Sequence, residues 1–158
     1  FPMATTQEKL ELLKKIAHRF HEADITWALG ASMLLYFKNI VPDFHDIDLM
    51  VTDDDVERVR HILSEMGTLQ PPNPNVRYRT RTFLEFVIRS VDVDVMAGFS
   101  ILHDGRIYDC SLKKEQIVEW MPLGEERIPL QSPMLWSQYY RLMGRNEKAE
   151  RIEKALGQ

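Results

Sequence analysis

The stretch His45-Asp46-Ile47-Asp48-Leu49-Met50-Val51 constrains this chain more than any other. Ile47, Leu49 and Val51 alternate with Asp46 and Asp48, the period-two pattern of a strand with one apolar face. At about 3.3 Å per residue the two carboxylates stand on one face, their Cβ atoms roughly 6–7 Å apart. Two like charges on an apolar strand repel each other and lose hydration, so the pattern asks for a positive partner. An all-oxygen pair suits a hard cation such as Mg²⁺. Just upstream, Trp27-Ala28-Leu29 reads as a short apolar strand running into Gly30, after which Ser32 opens a helix through Met33, Leu34, Leu35, Tyr36 and Phe37. A strand that turns through glycine into a helix start offers backbone N–H groups and a hydroxyl at a positive helix end, a seat for phosphate.

The remaining chain supplies the scaffold. Thr5 to Ala23 has the spacing of an amphipathic helix, with Leu10, Leu13, Ile16, Ala17 and Phe20 on one face and Thr5 with Glu8 as a capping box. His18 and His21 on this helix read as surface residues. Asn39 to His45 forms a loop containing Pro42. Thr52-Asp53-Asp54-Asp55 caps a helix that runs to about Met66 and buries Val56, Val59, Ile62 and Leu63. These three Asp residues are explained by the helix dipole better than by metal. Pro71-Pro72-Asn73-Pro74-Asn75 is a turn.

After that turn the period becomes two. Arg77, Arg79 and Arg81 form a row of cations best explained as a charged, solvated edge, and Phe83 to Ile88 continues as strand. Arg89-Ser90 turns into Val91-Asp92-Val93-Asp94-Val95-Met96, a strand with carboxylates on one face and apolar residues on the other. Ser100 to His103 and Arg106 to Tyr108 flank an Asp104-Gly105 turn and predict a second hairpin. Ile117 to Met121 and Arg127 to Leu130 predict short strands around Leu123-Gly124. Ser132-Pro133 has the grammar of N-cap and first helical position, opening a helix to Met143 stopped by Gly144. Trp136, Tyr139 and Tyr140 fall at core spacing on it. A last helix spans Asn146 to Leu156. The sum is an α+β fold, a mixed β-sheet with helices packed on one side and a C-terminal helical segment. One domain covers residues 1–158, with a core of about 5–130 and C-terminal helices of about 132–157.

Gly-x-Ser at a helix start followed by Asp-h-Asp-h (h apolar) on the next strand resembles the nucleotidyltransferase superfamily of the polymerase-β type. The likeness is to small bacterial members in particular, including those that adenylylate antibiotics. It covers Trp27 to Gly98 well and the C-terminal helices loosely. The resemblance implies metal-dependent transfer of a nucleoside monophosphate from a nucleoside triphosphate to a hydroxyl acceptor. It implies nucleotide binding at Gly30, Ala31 and Ser32, with Arg145 and Lys148 reaching phosphate from the C-terminal helices. It implies catalytic carboxylates Asp46, Asp48 and a third on a later strand, together holding two Mg²⁺ ions, with Mn²⁺ as an alternative. Asp92 and Asp94 compete for that third place. Asp94 resembles the family's third acid in preceding an apolar pair and Gly98, which leaves Asp92 as a supporting group or general base. Two departures stand out: the family's glycine is commonly doubled, whereas Ala31 follows Gly30 here, and no Arg precedes the Asp pair, where His45 stands instead.

Composition narrows the partners. The net charge of −4 argues against non-specific binding to nucleic acid or anionic membrane. Cys110 is the single cysteine, so no intrachain disulfide forms, and the expected setting is reducing and cytoplasmic. No stretch approaches the length of a transmembrane span. The acceptor stays open between a small hydroxylated molecule, a partner protein and an RNA end, and a homodimer is compatible with the sequence. The competing reading is a degenerate nucleotidyltransferase-fold binding module or antitoxin-type partner protein. A carboxylate-pair hydrolase would leave the Gly30 turn without a purpose.

Overall fold

The computed structural model of the chain describes residues 3–72 and 80–157. Its first helix, α1 (Thr6–Glu22), starts as the sequence predicts. The Thr5 hydroxyl accepts the Glu8 N–H at 3.1 Å, and the Thr5 N–H donates to the Glu8 carboxylate at 2.9 Å. This reciprocal pair satisfies two backbone donors that a helix start would otherwise leave unpaired. Then follow β1 (Trp27–Gly30), α2 (Ala31–Phe37) and β2 (Ile47–Val51), a 3₁₀ turn over Asp53–Asp55, α3 (Val56–Met66) and β3 (Thr68–Leu69). The second half contains β4 (Thr82–Ile88), β5 (Val91–Ala97), β6 (Ser100–His103), β7 (Arg106–Asp109), β8 (Glu119–Leu123) and β9 (Glu126–Leu130), closed by α4 (Pro133–Leu142) and α5 (Asn146–Ala155).

Seven strands form one mixed sheet in the order β3-β4-β5-β2-β1-β9-β8, with β6 and β7 as a separate hairpin. Strand β2 runs antiparallel to β1 and parallel to β5, and β1 runs parallel to β9. The period-two pattern divides the sheet into two faces. On one, Leu29, Leu49, Val95 and Leu84 lie side by side across four strands, as do Ile47, Val93 and Phe86. All of these are buried, together with Leu12, Leu13, Ile16 and Phe20 of α1 and Val59, Ile62 and Leu63 of α3. Each such side chain removed from water contributes about 1.5–3 kcal/mol, so this face is the core. The opposite face carries Asp48 and Asp94, and α4 closes over it at β1. No described helix is long and apolar enough to cross a membrane.

Two boundaries differ from the sequence expectations, and the Arg89-Ser90 turn falls where it was expected. Strand β2 begins at Ile47, so Asp46 belongs to the end of the preceding loop rather than to the ladder. Helix α2 begins at Ala31 with Gly30 as its N-cap, so Ser32 lies inside the first turn and is not the cap. The Arg89-Ser90 turn holds both residues at positive φ, 52° and 64°, the backbone a two-residue hairpin needs to match strand twist. Asp55 does more than complement a helix dipole. Its buried carboxylate accepts the Thr26 N–H at 2.7 Å and the Thr52 hydroxyl at 3.0 Å and pairs with Arg58. Burial works against its charge, but these partners hold its pKa below the ordinary value. Asp53 pairs with Arg81 at 2.8 Å. Arg77, Arg79 and most of the Pro71–Asn75 turn lie outside the described residues.

Candidate functional site

Sheet register brings the acidic residues together. Asp48 on β2 lies directly beside Asp94 on its parallel neighbour β5, and Gly30 on β1 lies on the other side of Asp48. Cross-strand neighbours point to the same face, so these two carboxylates share one surface. Asp46 ends the loop just before β2, and Asp92 lies on β5 two residues before Asp94, where it is exposed. Asp46, Asp48 and Asp94 all line a cavity of about 330 Å³. Ala31 and Ser32 of the turn line the same cavity, as do Arg145 and Lys148 from the start of α5. Phe83, Met96, Phe99, Trp136, Tyr140 and Met143 form its apolar wall.

The electrostatics are those of crowded, partly desolvated carboxylates. Burial and the neighbouring Asp46 push the Asp48 carboxyl up to about 7, against the pull of Lys148 and Arg145. Burial, followed by Asp48, Asp46, Glu85 and Asp92, pushes Asp94 up to about 8. Asp46 is raised by burial and Asp92, with His45 and Lys9 opposing. Lys148 is lowered by burial and by Arg145 beside it, and the carboxylates oppose that shift. Its ammonium lies 5.0 Å from the centre of the Tyr140 ring. The site thus sets crowded carboxylates on the sheet against cations on the C-terminal helix, an arrangement that a bound cation and a polyanion together would satisfy.

Among the described residues, the trio whose ligand atoms lie within 4.8 Å of one another is His45, Asp46 and Asp92. The His45 Nδ1 is 3.6 Å from the Asp46 carboxylate and its ring is largely exposed. Asp94 is the carboxylate in register with Asp48, while Asp92 joins His45 at the end of β2.

The turn at Gly30 is built differently from the sequence expectation. Gly30 is extended, with φ −125° and ψ −171°, and the left-handed residue is Ala31, at φ +53°. What requires glycine at position 30 is Trp136, since a Cβ there would lie 2.4 Å from the indole Cζ2. Trp136 is itself fixed by a 2.9 Å hydrogen bond from its Nε1 to the fully buried Gln131 side chain. Trp136, Tyr139 and Tyr140 are buried, the core role their spacing predicts. Trp136 and Tyr140 also line the cavity, so core and site share these rings. Two further site features went unread in the sequence. Glu85 lies beside Asp94 on β4, a pairing the two-residue Arg89-Ser90 turn already encodes. The apolar wall carries no sequence signal, because it is gathered from β4, β5, the segment after β5, and α4.

Three solved structures share this architecture. A Thermotoga maritima protein described as a "putative nucleotidyltransferase" is 23% identical, with a TM-score of 0.71, the match covering 98% of this chain and 96% of that one. ANT(2")-Ia, solved in complex with adenylyl-2"-tobramycin, is 14% identical at a TM-score of 0.63, over 96% and 90% of the two chains. The lincosamide antibiotic adenylyltransferase LnuA, solved with lincomycin bound, is 11% identical at a TM-score of 0.63, over 96% and 98%. The fold is therefore nucleotidyltransferase-like. By sequence, the family described as "Far upstream element-binding protein, C-terminal" matches residues 135–158, a segment confined to the C-terminal helices and the end of the chain. No curated protein matches the chain.

Proposed function

We propose that this chain is a metal-dependent nucleotidyltransferase that moves a nucleoside monophosphate from a nucleoside triphosphate to a hydroxyl on a small acceptor. The observation that carries this reading is one cavity in which Asp48 and Asp94, in register on neighbouring strands, and Asp46 face Arg145 and Lys148. The donor chemistry fits a hard divalent cation: the three carboxylates offer oxygen ligands only, and all three are held at raised pKa, by burial first and by neighbouring carboxylates second. Asp46, Asp48 and Asp94 would hold Mg²⁺ or Mn²⁺. When bound, such ions neutralise charge on the phosphates and on the attacking and leaving oxygens.

The remaining work falls to the chain itself. Arg145 and Lys148 attract and hold the triphosphate against the acidic sheet, and the backbone of the Ala31-Ser32 turn lies beside them in the cavity. The apolar wall gives a base or acceptor ring a surface that excludes water. The new bond joins the acceptor oxygen to the α-phosphorus, the α–β phosphoanhydride bond breaks, and pyrophosphate leaves. Asp92, exposed and within 4.8 Å of Asp46, would take the acceptor's proton as general base. A small hydroxylated acceptor is favoured over a protein or RNA end because proteins of this fold have been solved with adenylyl-tobramycin and with lincomycin.

Calorimetry with each nucleoside triphosphate, with and without Mg²⁺, tests the reading, followed by pyrophosphate release across a panel of hydroxylated acceptors. Binding that requires the metal and weakens in Arg145→Ala and Lys148→Ala is expected. Equal binding in excess chelator removes the metal from the reading, and metal-dependent binding without release on any acceptor points to a binding module.

A further inference from the structure

The lysine at position 9 is unusual for an α1 residue. It is 8% exposed, and its ammonium donates to the Phe44 carbonyl at 3.1 Å while lying 5.2 Å from the centre of the Phe44 ring. Among the described residues it forms no ion pair. Burying an ammonium against one carbonyl and one ring face costs stability, and an apolar residue of the same volume is often as good or better for the fold alone. The charge therefore calls for a reason other than packing.

The reason lies two residues beyond Phe44. Asp46 precedes the first residue of β2, so the sheet ladder does not fix it and its position depends on the loop that delivers it. That loop leaves α2 through Asn39, at φ +60°, and is pinned at Phe44. The Phe44 ring, itself buried, sits 4.9 Å from the Tyr36 ring of α2 on one side and under Lys9 on the other. Lys9 thus grips the backbone immediately before His45-Asp46 from inside the molecule.

We propose that Lys9 is a positioning residue for the cation site: it holds the Phe44 carbonyl and so presents Asp46, with His45, to the metal and nucleotide. This rests on the nucleotidyltransferase reading.

The test compares wild type with Lys9→Met, which keeps the bulk, and Lys9→Gln, which keeps a donor without the charge. Amide exchange between Ile40 and Asp46 is expected to accelerate about tenfold or more in Lys9→Met, while α1 and the sheet keep their protection and the Tm does not fall. Mn²⁺ affinity, read by electron paramagnetic resonance in the presence of a non-hydrolysable ATP analogue, is expected to fall about 10–100-fold. Lys9→Gln should lose less than Lys9→Met. Unchanged exchange across this segment overturns the proposal, as does a fall in Tm with protection lost throughout α1, which would make Lys9 a packing residue. Faster exchange with unchanged ion affinity overturns the link to the site. If wild type itself binds no Mn²⁺ with the nucleotide analogue, the nucleotidyltransferase reading fails, and the exchange comparison still decides whether Lys9 positions Asp46.

Discussion

Neutralising Asp48 offers the sharpest test of the acidic site, because its effect on stability has a sign that depends on pH. In the folded chain Asp48 is pushed up from 3.8 to about 7, chiefly by burial and then by Asp46. A raised carboxyl pKa means the folded state binds more protons than the unfolded state between those two values. Stability therefore falls as pH rises from about 4 to about 7, and is fully reduced above that. Each pH unit between the two values costs about 1.36 kcal/mol, so the full rise corresponds to about 4 kcal/mol. Asp48 still lines an open cavity, so water screens part of this, and about 2 kcal/mol is the working figure. Asp48→Asn, which keeps the shape and removes the charge, should then be more stable than wild type at pH 8 by about 2 kcal/mol. For a chain of this length that is a Tm rise of roughly 4–8 °C. At pH 4 the gap should nearly close, because wild-type Asp48 is then protonated in the fold and only partly ionised in the unfolded chain. Thermal melts of both proteins from pH 4 to 8 measure it. With Mg²⁺ and triphosphate present, wild type should recover the deficit by mass action and Asp48→Asn should not. A variant destabilised by the same amount at every pH would refute the reasoning, since it would mean the carboxylate is held by hydrogen bonds whose loss leaves buried donors unpaired.

Three further outcomes follow from the same geometry. Gly30→Ala should cost about 1–3 kcal/mol in denaturant melts, because the new Cβ meets the Trp136 indole, and Trp136→Leu in the same chain should restore part of that loss; a Gly30→Ala protein as stable as wild type would contradict the packing. Ala31→Gly should raise stability by up to about 1 kcal/mol, since φ +53° strains any residue with a Cβ, and no gain would show that the turn relaxes in solution. Asp55→Ala should destabilise by about 2–4 kcal/mol, stranding the Thr26 N–H and Arg58, without changing nucleotide binding in the variant that still folds; an effect below about half a kcal/mol would mean the network is dispensable.

Much of the fold was legible because it rests on local patterns. The capping box at Thr5 and Glu8, the Ser132-Pro133 helix start, the alternation of Asp46 to Val51 and of Val91 to Met96, and the Arg89-Ser90 turn are each decided within a few residues. Their side chains choose helix or strand by period and satisfy nearby backbone groups, so neighbours in sequence suffice to specify them. The acidic strands were legible for the same reason, and so was their shared face.

What joins those pieces was decided by tertiary structure. Whether Asp92 or Asp94 stands beside Asp48 depends on the register of two parallel strands separated by some forty residues, and a one-residue slip would turn both to the other face. Gly30 reads in sequence as a phosphate turn, yet the atom that forbids a side chain there belongs to Trp136, brought over β1 by α4. Lys9 reads as one more charge on an amphipathic helix until the fold lays the Phe44 loop across it. Local pattern sets which elements form and which residues carry charge. Packing sets which charges are buried and which meet, because burial and proximity belong to distant segments brought together.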